Sequence, residues 1–220
     1  MHARTRATLT LLAASLALTV TACGGDDKKA APDKPIPGVD TSTSASAPAS
    51  PTPSTAGGPT DRPKITLPDD VKNVFEGSRT GDPKKDEAVA DAERRIDAVS
   101  DAILKSAPNS PALAYYDKPE MLVGTSQYVD KFAKSGSSYT GTIRYFKWRV
   151  SLVDDHTTSV VYCGDETKAF KKDLKTGKIT QTTPSKTDYV LYNFRLTKNA
   201  GGVWQTSGGF SERGAASCNG

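Results

Sequence analysis

The sequence predicts an α+β domain in which helices come first and an antiparallel sheet follows. Three observations carry that reading. Between residues 82 and 107, apolar side chains recur every three or four positions. From residue 146 onward they alternate singly with polar ones. The alternating runs are separated by short stretches rich in Gly, Asp, Asn and Lys, which suit hairpin turns. An antiparallel sheet has one face to bury, and a long helix can cover it.

In chain order, Ile65 to Asp70 opens the ordered region, and Val71, Val74 and Phe75 read as a short helical turn ending at Gly77. Asp82 is a good N-cap and Pro83 suits the first helical position. Val89, Ala92, Ile96, Val99 and Ile103 then form one apolar stripe, with Glu93, Arg94, Arg95 and Asp101 between them, until Pro108. At 1.5 Å per residue this helix is roughly 36 Å long. Ser110-Pro111 starts a second, short helix through Leu113 and Tyr116. A third is expected from Thr125 or Ser126, carrying Tyr128, Val129 and Phe132 and stopping at Gly136.

The period then changes. Phe146, Trp148, Val150 and Leu152 alternate with Lys147, Arg149 and Ser151 as a half-buried strand. Asp154-Asp155-His156 turns into a second strand from Ser159 to Phe170. Leu174 to Lys178 makes a hairpin tip, with Gly177 free to take positive φ. Val190, Tyr192, Phe194 and Leu196 mark a third strand, and Asn199 to Gly202 turns into a fourth, from Val203 to Phe210. The expectation is a curved antiparallel sheet of four or more strands wrapped on the long first helix.

The N-terminus carries an address. Arg4 and Arg6 precede an apolar run from Leu9 to Val20, about a dozen residues where a membrane span needs roughly 20. Val20-Thr21-Ala22-Cys23 follows and resembles the lipobox of bacterial lipoproteins. The resemblance implies cleavage before Cys23, a diacylglyceryl thioether on its sulfur and palmitate-type acylation. The domain would then sit on the extracytoplasmic face of the cell membrane, because two acyl chains anchor stably where one does not. Soluble secretion is the alternative. Residues 1–22 are thus a signal peptide. Residues 23–64, rich in Ala, Pro, Ser and Thr, form a polar tether that buries too little to offset its ordering entropy and is open to O-glycosylation. Residues 65–220 form the domain.

Composition narrows the function classes. The 220 residues carry a net charge of +4, and loss of Arg4 and Arg6 leaves 27 basic against 25 acidic residues. That balance argues against a nucleic-acid partner. With Cys23 lipidated, Cys163 and Cys218 remain, and an even count outside the cytoplasm favours a disulfide. Its loop of about 55 residues is worth on the order of 4 kcal/mol. A reactive thiol, the other reading, lacks a nearby His or Cys-x-x-Cys partner.

Catalytic signatures are thin, and no catalytic residue, metal site or cofactor is expected. His156 is the one histidine after residue 22 and lies in a turn beside Asp154 and Asp155. Lys175-Thr176-Gly177 matches the Lys-Thr-Gly of penicillin-binding enzymes, but the chain has no Ser-x-x-Lys nucleophile. Gly177-Lys178 is followed by Ile179 and is no P-loop. Lys168, Lys171, Lys172, Lys175 and Lys178 gather around one hairpin as a candidate patch for anionic envelope material. A solvated hairpin guarding a sheet edge is the plainer account.

The element order, with Val161-Tyr162-Cys163-Gly164-Asp165, Lys175-Thr176-Gly177-Lys178, Tyr189-Val190-Leu191-Tyr192, Gly202-Val203-Trp204-Gln205 and Cys218, resembles the NTF2-like (SnoaL-like) cone-shaped fold. More narrowly it resembles actinobacterial, Streptomyces-type lipoproteins carrying such a domain behind a lipobox. A cystatin-like sheet on a helix is the structural alternative. The resemblance spans roughly residues 82 to 218 and implies a pocket between sheet and helix, with Tyr145, Asp165, Tyr192 and Arg195 as candidate occupants. The family mixes enzymes with binding and dimerisation domains, so three readings stay open. The first is a non-catalytic domain binding an envelope protein or small ligand, the second a small-molecule enzyme, the third a structural or homodimeric component of an envelope complex.

Overall fold

A computed structural model describes residues 61–219. Cys23, the signal segment and most of the expected tether lie outside them. Three helices precede most of a six-stranded sheet. The strands are β1 (Val71–Phe75), β2 (Ser137–Leu152), β3 (Thr157–Asp173), β4 (Ile179–Thr180), β5 (Tyr189–Lys198) and β6 (Trp204–Arg213). The order is β1-β2-β3-β5-β6, with the two-residue β4 paired to the end of β3. Every pairing is antiparallel except β1 with β2. The α+β expectation holds.

Helix α1 (Pro83–Leu104) starts where its signals lie: the Asp82 carboxylate accepts from the Lys84 and Lys85 amides. Its apolar stripe packs Ala88, Ala92 and Ile96 against Tyr145, Val160, Tyr162, Phe194, Leu196 and Trp204 of the sheet. The next turns pack Ala98, Ala102 and Ile103 on Leu113 and Tyr116 of α2 (Pro111–Tyr116) and Val129 of α3 (Pro119–Lys134).

Four local expectations are corrected. Residues 71–75 are a strand, because the bent middle of β2 offers Gly141 to Tyr145 as a parallel partner; five residues are too few for their own periodicity to decide. Helix α3 starts at Pro119, with Gly124 inside it. Strand β2 starts at Ser137, where the polar Ser137, Ser138 and Thr140 are buried opposite the end of β3. Finally, Phe146 and Trp148 do not share a face. Lys147 takes φ 55°, the pairing with β3 slips between Phe146 and Arg149, and the extra backbone reverses the side-chain parity. Trp148 and Val150 join the main core, while Phe146 packs on the opposite face with Cys163, Cys218 and Ala215.

Further slips at Thr142/Arg144 and Arg195/Leu196 bend the sheet. Next to the latter, opposite Phe194, β6 carries Gly209 at φ 143°, where a Cβ would sit 2.3 Å from the Asn193 carbonyl oxygen. Only glycine fits that bend.

Four charges of α1 are not on a solvated face, although Arg94 between them is exposed. Asp91, Glu93, Arg95 and Asp101 are all buried, because the sheet, the shorter helices and the chain before β1 surround the helix. Each has a partner. Arg95 pairs with the buried Asp117, just after α2, and donates to Thr125 Oγ1 of α3 at 3.1 Å. Asp91 pairs with Arg62 and accepts the Trp204 amide at 2.9 Å. Arg79 reaches Glu93 at 2.9 Å and Lys105 reaches Asp101 at 2.6 Å. Arg62 belongs to the stretch expected to be tether, so the domain's contacts begin before residue 65.

Cys163 and Cys218 are bonded, with Cα atoms 5.5 Å apart and a sequence separation of 55. Replacing both by Ala should lower stability by about 4 kcal/mol, read from the shift in the urea midpoint against the oxidised protein. Arg95→Ala should cost about 3–5 kcal/mol by leaving Asp117 buried without a counter-ion, whereas the double variant Arg95→Met/Asp117→Leu should recover most of it.

Candidate functional site

The bent sheet, α1 and α3 enclose a cavity of about 790 Å³, a size that holds small organic ligands. Ile96, Val99 and Ile103 come from α1; Met121, Tyr128 and Phe132 come from α3. The sheet supplies Tyr139, Ile143 and Tyr145 of β2, Tyr162 and Glu166 of β3, Tyr192 and Phe194 of β5, and Arg213 of β6.

Three tyrosines dominate the sheet wall. Tyr162 and Tyr192 stack at 5.0 Å, and Tyr145 meets them at 5.9 and 6.3 Å. Cross-strand register brings Tyr162 beside Tyr192, while Tyr145 is paired with Gly164. At Gly164 a Cβ would lie 3.0 Å from the Tyr192 ring and 3.6 Å from the Tyr145 ring, so the missing side chain gives both rings their room. Phe75, Trp148 and Phe194 extend the cluster.

Burial fixes the protonation of these groups. It pushes the Tyr139 hydroxyl up to about 12, and raises Tyr145, Tyr162 and Tyr192 well above the ordinary value. All four are therefore neutral and able to donate at physiological pH. Tyr192 donates to Glu166 Oε1 at 3.4 Å, and Glu166 is also bridged by Arg213 at 2.8 Å. Arg95, beneath Phe194 with its guanidinium 4.7 Å from the ring centre, is held by Asp117. The carboxylate in the lining is thus already committed, and the site offers apolar enclosure with neutral hydroxyl donors.

Of the four residues expected in the pocket, Tyr145 and Tyr192 line it. Asp165 instead faces a small cleft on the other side of the sheet, where Arg144 bridges it to Glu76. Burial there works against its charge, but hydrogen bonds from Thr167 and the Arg144 guanidinium still hold it below the usual carboxylate range. Arg195 is exposed and outside the cavity. His156 sits in the exposed β2–β3 turn, far from any role in the cavity lining. The five lysines of the hairpin have different surroundings. Lys171 lines the cavity, Lys168 lines the small cleft, Lys172 bridges Asp70 at 2.8 Å, and Lys175 and Lys178 are exposed around the turn.

Residues missed by sequence reading are Tyr139, Tyr162, Glu166 and Arg213. Tyr162 and Glu166 stand four apart on β3, a strand-face spacing that could have flagged them.

No family matches the chain, and no curated protein does. Several solved structures are similar in part. One is the intermembrane-space region of the chloroplast protein ARC6, at 15% identity over 56% of this chain and 94% of that one, TM-score 0.36. Another is a ketosteroid isomerase-like protein from Erwinia carotovora atroseptica, at 17% identity over 54% and 92%, TM-score 0.33. A third is a scytalone dehydratase candidate from Novosphingobium aromaticivorans, at 11% identity over 60% and 90%, TM-score 0.34. Likeness at this level transfers no residue role to this chain.

The buried tyrosines give the site a pH signature. Their folded pKa lies above the unfolded value of about 10, so between the two the unfolded chain has lost protons that the folded one keeps. Their contribution is complete below pH 10 and is lost as pH rises through the folded values, which begin at about 12 for Tyr139 and are raised for the other three by burial. An absorbance titration at 295 nm should show Tyr139, Tyr145, Tyr162 and Tyr192 silent until the protein unfolds, with denaturant midpoints falling across that window. Four such residues ionising reversibly below pH 11 in the folded state would contradict their burial.

Proposed function

We propose that the chain is a lipid-anchored extracytoplasmic protein, of the actinobacterial lipoprotein type, whose NTF2-like domain binds an apolar small molecule without transforming it. The single observation that carries the binding role is the cavity of about 790 Å³ walled by Tyr145, Tyr162 and Tyr192. Its hydroxyls can orient a ligand through hydrogen bonds, and burial of the ligand's apolar surface supplies the driving force. Against catalysis stands the commitment of Glu166 to Arg213 and Tyr192, which leaves no ready proton acceptor in the lining. The NTF2-like reading is supported by the architecture: a long first helix lies in the concave face of a bent, mostly antiparallel sheet, with the cavity between them. The anchor is supported by Val20-Thr21-Ala22-Cys23 behind a short apolar run.

Two experiments test this. The purified full chain should enhance the fluorescence of a naphthylamine dye, and Gly164→Val should weaken dye binding at least tenfold while leaving the circular dichroism unchanged. Equal binding by the variant would place the dye elsewhere. In cells, Cys23→Ala should release the protein or leave its precursor uncut, and unchanged membrane fractionation would refute the anchor.

A further inference from the structure

The charges around the cavity are unequally matched. Its lining contains Arg95, Lys171 and Arg213 as cations and Glu166 as a carboxylate. Arg95 is satisfied by Asp117 behind it, and Arg213 by Glu166. Lys171 is different. It is exposed, it stands opposite Tyr139 in the β2–β3 register, and among the described residues it bridges no carboxylate. The acid nearest in sequence, Asp173, is occupied by the hairpin itself: it accepts the amides of Lys175 and Thr176 and the Thr176 hydroxyl. Lys168, Lys175 and Lys178 on the same hairpin bridge no carboxylate among the described residues either, so cations around Lys171 outnumber the one acid that feels its charge there, Asp173.

The interior has the opposite character. Beyond the compensated pairs it is largely aliphatic and aromatic, and its remaining polar side chains are neutral hydroxyls of tyrosine, serine and threonine. An uncharged apolar molecule would leave Lys171 unused. A compact anion would leave the walls unused. One ligand class uses both: a long apolar body with an acid group at one end.

We propose that the cavity takes a single-chain anionic amphiphile, with the chain inside the cone and the acid group at Lys171. This rests on the reading of the cavity as a ligand site and adds the ligand's class. A free fatty acid and a lysolipid with an anionic headgroup share this chemistry.

The test is displacement of the naphthylamine dye from the purified full chain, with every competitor below its critical micelle concentration. Tetradecanoate should displace the dye at about fivefold lower concentration than tetradecanol, the advantage of one partly exposed charge pair. Shortening the acid should weaken binding by about fourfold per methylene. The preference for acid over alcohol should vanish in Lys171→Gln, persist in Lys178→Gln at the hairpin turn, and shrink as salt is raised. A myristoyl lysophosphatidylglycerol arm then tells which source the site prefers, by which acid displaces at lower concentration. Equal displacement by acid and alcohol, or a preference that survives Lys171→Gln, would overturn the proposal while leaving the cavity a ligand site. Failure of the dye itself to bind would remove both.

Discussion

One helix has to hold this domain together, and it does so with charges as well as apolar contacts. The Arg95–Asp117 pair joins α1 to the chain between α2 and α3, and Thr125 of α3 shares the same guanidinium. Asp91 joins α1 to Arg62, early in the described chain, and to the backbone of β6, near its close. A buried ion pair is a weak source of net stability but a strict one of geometry, because a misplaced partner leaves a charge without water or counter-ion. The apolar stripe of α1 would tolerate sliding along the sheet. The ionic pins do not.

The cavity follows from where the sheet bends. Slips in β2 and at the β5–β6 pairing turn strands that would otherwise run flat, and a bent sheet meets a straight helix along only part of its length. Aromatic rings occupy much of the remaining space, and Gly164 sets how deeply they settle. The same curvature separates two chemistries along β3. Tyr162 faces the cavity, while its neighbour Cys163 lies on the opposite face in the disulfide cluster.

Much of this was legible in the residues. Asp82-Pro83 and the stripe from Val89 to Ile103 announce α1, and the alternation around Tyr192 and Phe194 announces β5. Three things were not. Residues 71–75 are too short to show a period of their own and take their form from β2. The bulge at Lys147 lies inside a run that alternates perfectly on paper, so nothing local separates Phe146 from Trp148. The burial of Arg95 and Glu93 depends on α2, α3 and the approach of Arg62 and Arg79 surrounding the helix, which are contacts distant in sequence. The site was half visible: Tyr145 and Tyr192 stand on faces that alternation assigns, and the spacing of Glu166 from Tyr162 separates it from Asp165, whereas the contributions of Tyr139 and Arg213 depend on strand pairings distant in sequence.

The hydrogen bond from the Trp204 amide to Asp91 also bears on how the domain is made. It spans 113 residues, so a carboxylate on the first helix finds its backbone partner only when the last strand docks. Before that moment, packing α1 onto β2 and β3 would bury a carboxylate that has its arginine partners but lacks its backbone donor. Early, partial closure is thereby penalised, and the wall that β6 adds to the cavity arrives together with the seating of the helix. Such long-range dependence slows folding and makes it all-or-none. A half-built cone, with its aromatic interior open to neighbouring chains, is a state this arrangement keeps scarce.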